Sequence, residues 1–134
     1  MQDRPDAQEL LAAVRAFLEE QVVPALEGTR QFHARVAANV LAIVGREVAV
    51  GEESLRAEWQ RLGRVLGRQV GEVPDGSGAL AAAVRIMNEQ LAEKIRSGDA
   101  DDGPWRAEVL AHLRATSAER LAIANPKYAA PRER

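Results

Sequence analysis

Apolar residues recur along almost the whole chain at three- and four-residue intervals, and no stretch alternates polar and apolar positions as a half-buried strand does. That periodicity restricts the fold to helices packed by their apolar faces. Leu80, Val84, Met87, Leu91 and Ile95 are the cleanest case, lying at i, i+4 and i+7 steps. The makeup of the apolar residues points the same way. Alanine and leucine dominate, and aromatics are only 4% of residues, so propensity favours helix over strand. A length of 134 residues fits one domain. The expected architecture is all-α: a single-domain bundle of about five helices, with residues 126–134 as a partly ordered tail.

The helix boundaries follow from caps and breakers. Helix one is expected from Ala7 to Val23, with Asp6 as N-cap, Glu9 completing a capping box, and Pro24 and Gly28 closing the exit. Helix two is expected from Arg30 to Val48, after Thr29 and before Gly51. Its apolar arc of Phe32, Val36, Ala37, Val40, Leu41, Ile43 and Val44 is wide, which predicts a central helix contacted from two sides. Helix three is expected from Glu53 to Leu66, with Leu55, Trp59, Leu62 and Leu66 inward and Val65 outward. Gly67, Gly71, Pro74, Gly76 and Gly78 then mark a loop, expected to be the loosest segment. Helix four should run from Ala79 to Arg96 with Ile86 facing outward. Helix five should start at Gly103-Pro104 and stop at Asn125-Pro126.

Composition excludes several classes of function. The chain has no cysteine, hence no disulfide, thiolate nucleophile or thiolate-bound metal. A net charge of −2 offers no general attraction to nucleic acid or to anionic membrane. Arg61, Arg64 and Arg68 form an apparent basic ridge on helix three, but Glu52, Glu53 and Glu58 dilute it to a solvated face. Asp99, Asp101 and Asp102 lack the ligand order of a calcium loop, and Gly76-Ser77-Gly78 follows no strand, so no metal or phosphate-binding motif is present. The polar, acidic start is unlike a signal peptide, and no apolar run approaches the ~18 residues of a membrane span. A cytoplasmic protein without a cofactor, and more plausibly not an enzyme, is the expectation.

Six polar residues sit oddly enough on their helices to be candidates for a ligand site. His33 falls inside the apolar arc of helix two, and its imidazole would titrate near neutrality. Glu47 projects between Val36 and Val40, and Arg120 projects between Val109 and Leu113. A buried charge at either position needs a partner, so the two are expected to pair with each other or with His33, or else to reach solvent. Arg35, Asn39 and Arg46 share one edge of helix two, which offers guanidinium donors to a carboxylate or phosphate or simply borders the core.

Three stretches carry a family resemblance: Asp6–Leu26, beginning DAQELLAAVRAFLEE; FHARVAANVLAIVGRE from Phe32 to Glu47; and HLRATSAERLAIANPKY from His112 to Tyr128. Together they resemble a small, uncharacterised bacterial helical domain family found beside or fused to aminoglycoside-phosphotransferase-like kinases and near acyl-CoA dehydrogenases. Gly45 departs from the resemblance, which leads one to expect a charged helix former there. No catalytic residues come with the family.

The resemblance implies a non-catalytic accessory domain whose partner is a kinase-like protein, with a homo-oligomer as a further possibility. The alternative is a small-molecule binder, taking an acyl-CoA or phosphorylated ligand in a polar pocket on helix two built from His33, Arg35, Asn39 and Glu47, with Arg120.

Overall fold

The computed structural model describes residues 4–129, and among them it contains five α-helices and no strand. In chain order these are α1 (Ala7–Phe17), α2 (Gly28–Val65), α3 (Ser77–Arg96), α4 (Pro104–Ala124) and α5 (Pro126–Ala129). The all-α class follows the periodicity of the sequence. The end of the expected tail, residues 130–134, lies outside the described residues.

The expected cap of α1 and the proline start of α4 are found, whereas Thr29, expected to cap helix two, lies inside α2, which begins at Gly28. Asp6 accepts from the Glu9 backbone N–H at 2.9 Å, and Glu9 accepts from the Asp6 N–H at 2.8 Å, so two orphan donors at the start of α1 are satisfied reciprocally. α1 does not run unbroken to Val23, however. A π-helical turn over Leu18–Val22 and a 3-10 turn over Val23–Ala25 carry the chain into Pro24. Pro104 opens α4, and the α-helix ends at Ala124, just before Asn125-Pro126.

The largest departure is that the two helices expected over Arg30–Val48 and Glu53–Leu66 are one helix, α2, of 38 residues. Gly51 is inside it. A glycine ends a helix by adopting a left-handed conformation, and Gly51 is not among the glycines with positive φ. Inside a helix it costs only about 1 kcal/mol against alanine, too little to interrupt a run flanked by strong helix formers. Glu52 and Arg56 further support this stretch with an i, i+4 ion pair at 2.7 Å. The glycine that does end α2 is Gly67, at φ +65°, where the Arg68 N–H reaches back to the Gly63 carbonyl at 2.8 Å.

The described chain gathers into two compact units: residues 4–51 with 123–125, and residues 52–122 with 126–129. In the first, the Ala38 and Ala42 side of α2 is buried, and grooves beside it are lined by Leu11, Ala12, Arg15 and Glu19. Most of the apolar arc expected to be buried is exposed, and only Leu41 and Ile43 of it are half-buried. Phe32 is 62% exposed, and Val36, Val40, Val44 and Val48 remain between 41% and 49% exposed. Small side chains let two helices approach closely, so α1 lies along the alanine side and leaves the larger valines facing out. α1 likewise buries none of its residues and exposes Leu10, Val14 and Phe17.

The second unit holds the core. Trp59, Leu62 and Val65 of α2 meet Leu80, Val84, Met87 and Leu91 of α3 and Val109 of α4. Val65, expected to face outward, is a core residue, because α4 covers that side of α2; Ile86 is exposed as expected. The Trp105 indole N–H donates to the Val65 carbonyl at 2.7 Å and ties the start of α4 to the end of α2. The glycine-rich segment is anchored at two points, since Val70 and Val73 pack against the core.

Candidate functional site

The unit formed by residues 52–122 and 126–129 contains a buried polar cluster, assembled from three helices. Glu58 follows Leu55 by three residues and precedes Leu62 by four, so it sits on the inward face of α2 and is only 5% exposed. Its carboxylate accepts from Asn88 Nδ2 of α3 at 2.8 Å and from the Arg120 guanidinium of α4 at 3.4 Å. Arg120 itself is largely exposed, so Asn88 is the partner that compensates the buried side of the carboxylate. One turn further along α2, Arg61 presents both terminal nitrogens to the Glu119 carboxylate, at 2.8 and 2.6 Å, and lies 3.4 Å from the Thr116 hydroxyl. Arg61 was expected on an outward, solvated ridge. It is instead largely buried, because α4 supplies a carboxylate opposite it, while Arg64 and Arg68 do face solvent.

His112 lies in the middle of this cluster and is 3% exposed, yet neither ring nitrogen has a hydrogen-bond partner among the described residues. Burial holds its imidazole below the usual value of 6.5, and the Arg61 charge pushes the same way, against weaker opposition from Glu58 and Glu119. The ring is therefore neutral at neutral pH, with one N–H donor and one lone-pair acceptor both unmet. It borders two grooves, one of about 420 Å³ beside Arg61 and Arg64, the other of about 530 Å³ beside Glu58, Asn88 and Arg120. Arg61 Nε is buried and unpartnered as well. No hydroxyl among the described residues is hydrogen-bonded to the imidazole. Among the described residues no three histidine, aspartate or glutamate side chains converge as metal ligands.

The residues singled out from the sequence stand mostly elsewhere. His33 is exposed and meets the Phe32 ring edge-on at 5.6 Å between centroids. Glu47 is exposed too, its carboxylate lying along its own helix over Gly51. Neither borders the grooves described here. Arg35 and Asn39 do come together, lining a groove of about 280 Å³ with Arg15, Glu19 and Val23. Arg46 leaves that edge to donate to the Ile123 carbonyl at 2.6 Å. Arg120 meets both alternatives in part: its side chain is largely exposed, and its ion-pair partner, at 3.4 Å, is Glu58 and not Glu47 or His33. Its helix packs in the unit that holds Glu58, whereas Glu47 belongs to the other. Glu58, expected on a solvated face, is buried, and Asn88 and His112 are not among the residues expected to form a site. The spacing of Glu58 between Leu55 and Leu62, and of His112 between Val109 and Thr116, is the signal that marks both as inward-facing.

Residues 24–128 match a family described as Domain of unknown function (DUF6285). The chain belongs to this family. The matched stretch begins after α1 and takes in α2, α3 and α4, so the buried cluster of Glu58, Arg61, Asn88, His112 and Glu119 lies wholly within the DUF6285 region. No curated protein and no solved structure matches the chain. Among the described residues no helix is long and apolar enough to cross a membrane.

Proposed function

We propose that this DUF6285 protein is a non-catalytic accessory domain that binds a protein partner through the outward ridge of α2, and that the partner is an aminoglycoside-phosphotransferase-like kinase. The observation that carries the reading is the ridge itself. Phe32, Val36, Val40, Val44 and Val48 follow one another at steps of four, all more than 40% exposed. Such a row is the surface a second helix packs into its own grooves. Single exposed apolar residues are ordinary, whereas an ordered row of five marks an interaction surface. The kinase as occupant rests on the family resemblance carried by the same helix, from Phe32 to Glu47.

Mixing the purified chain with an aminoglycoside-phosphotransferase-like kinase from the same organism tests the reading. A stoichiometric complex by size-exclusion chromatography with light scattering is expected, and Val40→Glu with Val44→Glu should abolish it while leaving helical content unchanged. No complex, or a complex indifferent to the two glutamates, would overturn the proposal. So would a homodimer that the glutamates dissociate, since the ridge would then be occupied by a second copy.

A further inference from the structure

α4 is held to its neighbours by a seam unlike the rest of the core. The inward row of α3 is wholly apolar, Leu80, Val84, Met87 and Leu91, whereas α4 buries Val109, His112 and Thr116, two of which are polar. Leu110, Leu113 and Leu121 of α4 are exposed and add nothing to the contact. Side-chain pairs take their place, Glu119 with Arg61 and Arg120 with Glu58. A helix with few buried apolar contacts is the part of a domain that opens most readily.

His112 lies at the centre of this seam, 3% exposed, with both ring nitrogens unpartnered among the described residues. Charges act on it from every helix of the unit: Glu58 and Arg61 of α2, with Arg64 at the same groove; Arg85 of α3; and Glu108, Glu119 and Arg120 of α4 itself. The two carboxylates that would favour a proton on the ring are already engaged, Glu119 by Arg61 and Glu58 by Asn88 and Arg120, and Glu108 is exposed. An imidazolium in the closed seam is therefore a buried cation set beside Arg61.

We infer that α4 is an acid-released latch: a proton on His112 frees the stretch from Val109 to Arg120 from α2 and α3 while the rest of the unit stays folded. Once that stretch lifts, the imidazole is in water and takes its ordinary value of 6.5, above the lowered value it has when buried. The open form thus holds the proton more tightly, so opening gains population as pH falls through 6.5 and is suppressed above it. The start of α4 is held differently. The Trp105 indole N–H donates to the Val65 carbonyl, a bond that protons in this range leave alone, so Trp105 is the pivot. The inference is independent of the kinase-binding proposal, which concerns the ridge of α2.

Native-state amide exchange of the full chain tests the latch at about pH 7.5 and about pH 5.5, each rate being divided by its intrinsic value at that pH. A detached helical stretch this short does not keep its own hydrogen bonds, so its amides exchange once it lifts. The amides from Val109 to Thr116 are expected to be less protected than those from Val84 to Leu91 of α3 by roughly tenfold or more at both values. They should lose several-fold more protection at the lower pH, with about tenfold the ceiling that one imidazole sets over this interval. His112→Leu, which leaves an apolar side chain in the seam and nothing to titrate, should make the protection of α4 independent of pH. Equal protection of the two helices would mean that α4 leaves only when the whole unit unfolds, and would overturn the inference. So would α4 amides unmoved by acid, or moved as much in His112→Leu as in the parent.

Discussion

Gly63 offers the sharpest test of how the second unit is packed. It lies inside α2, one residue from Leu62, and a methyl group there would meet Val70 across a gap too narrow to hold it. The position a Cβ would take is 3.0 Å from Val70 Cγ2 and 3.3 Å from Val70 Cβ, and closer still to Cγ1. Rotating the valine cannot clear the clash, because its branch point is itself in the way and β-branched side chains have few rotamers. The segment carrying Val70 must therefore move off α2. Gly63→Ala gains about 1 kcal/mol of helix propensity but incurs overpacking of about 1–3 kcal/mol, with part of the Val70 burial lost in addition. The net expectation is a destabilisation of about 1–2 kcal/mol. Urea unfolding followed by tryptophan emission reads this directly, since Trp59 and Trp105 both lie in the unit concerned. Val70→Ala in the same chain removes the two tightest contacts and leaves only the milder one at 3.3 Å to Cβ, so the double variant should be more stable than the sum of the single effects by about 1 kcal/mol. A Gly63→Ala protein as stable as the parent, or more so, would refute the reasoning.

Two further perturbations separate local from tertiary effects. Gly45 is also helical, but nothing lies within 4 Å of the position a Cβ would take, so Gly45→Ala should stabilise the chain by up to about 1 kcal/mol in the same assay; a loss would mean that α1 needs the bare backbone there. His112 sets a pH dependence. Its imidazole is held below 6.5, chiefly by burial and then by Arg61, against Glu58 and Glu119, with Arg120 adding to the lowering. As pH falls through the unfolded value near 6.5, the unfolded chain takes up the proton first, so stability declines over the acidic window that opens there. His112→Leu should flatten the melting temperature over that window, and an unchanged slope would show that another group carries it.

Most of the secondary structure was legible because its determinants are local. The Asp6–Glu9 capping box, Pro104 at the start of α4, Asn125-Pro126 beyond its end, and the core row Leu80, Val84, Met87 and Leu91 act through neighbours three or four residues away. Gly51 misled because its identity permits a left-handed stop but does not impose one, whereas the conformation that ends the helix was adopted sixteen residues later at Gly67. The candidate site was legible only in part. The position of Arg120 allows either pairing or solvent, and its exposed side chain has some of both. Its partner Glu58 is inward by its spacing from Leu55 and Leu62, although its charge reads as part of a solvated face.

The sequence by itself determined that this DUF6285 chain is helical, where most of its helices begin and end, and which side of α3 is buried, since periodicity and capping depend on residues within one turn. Only the tertiary structure decided which apolar faces are covered and which charges meet. The valine row of α2 and the leucine row of α3 carry the same helical signal, yet one is exposed and the other forms the core. The difference lies in what packs alongside: α1 takes the alanine side of α2, while α2 and α4 bury the leucine side of α3. The same packing brings Arg61 to Glu119 and leaves His112 buried with both nitrogens unmet, an arrangement that no single helix encodes.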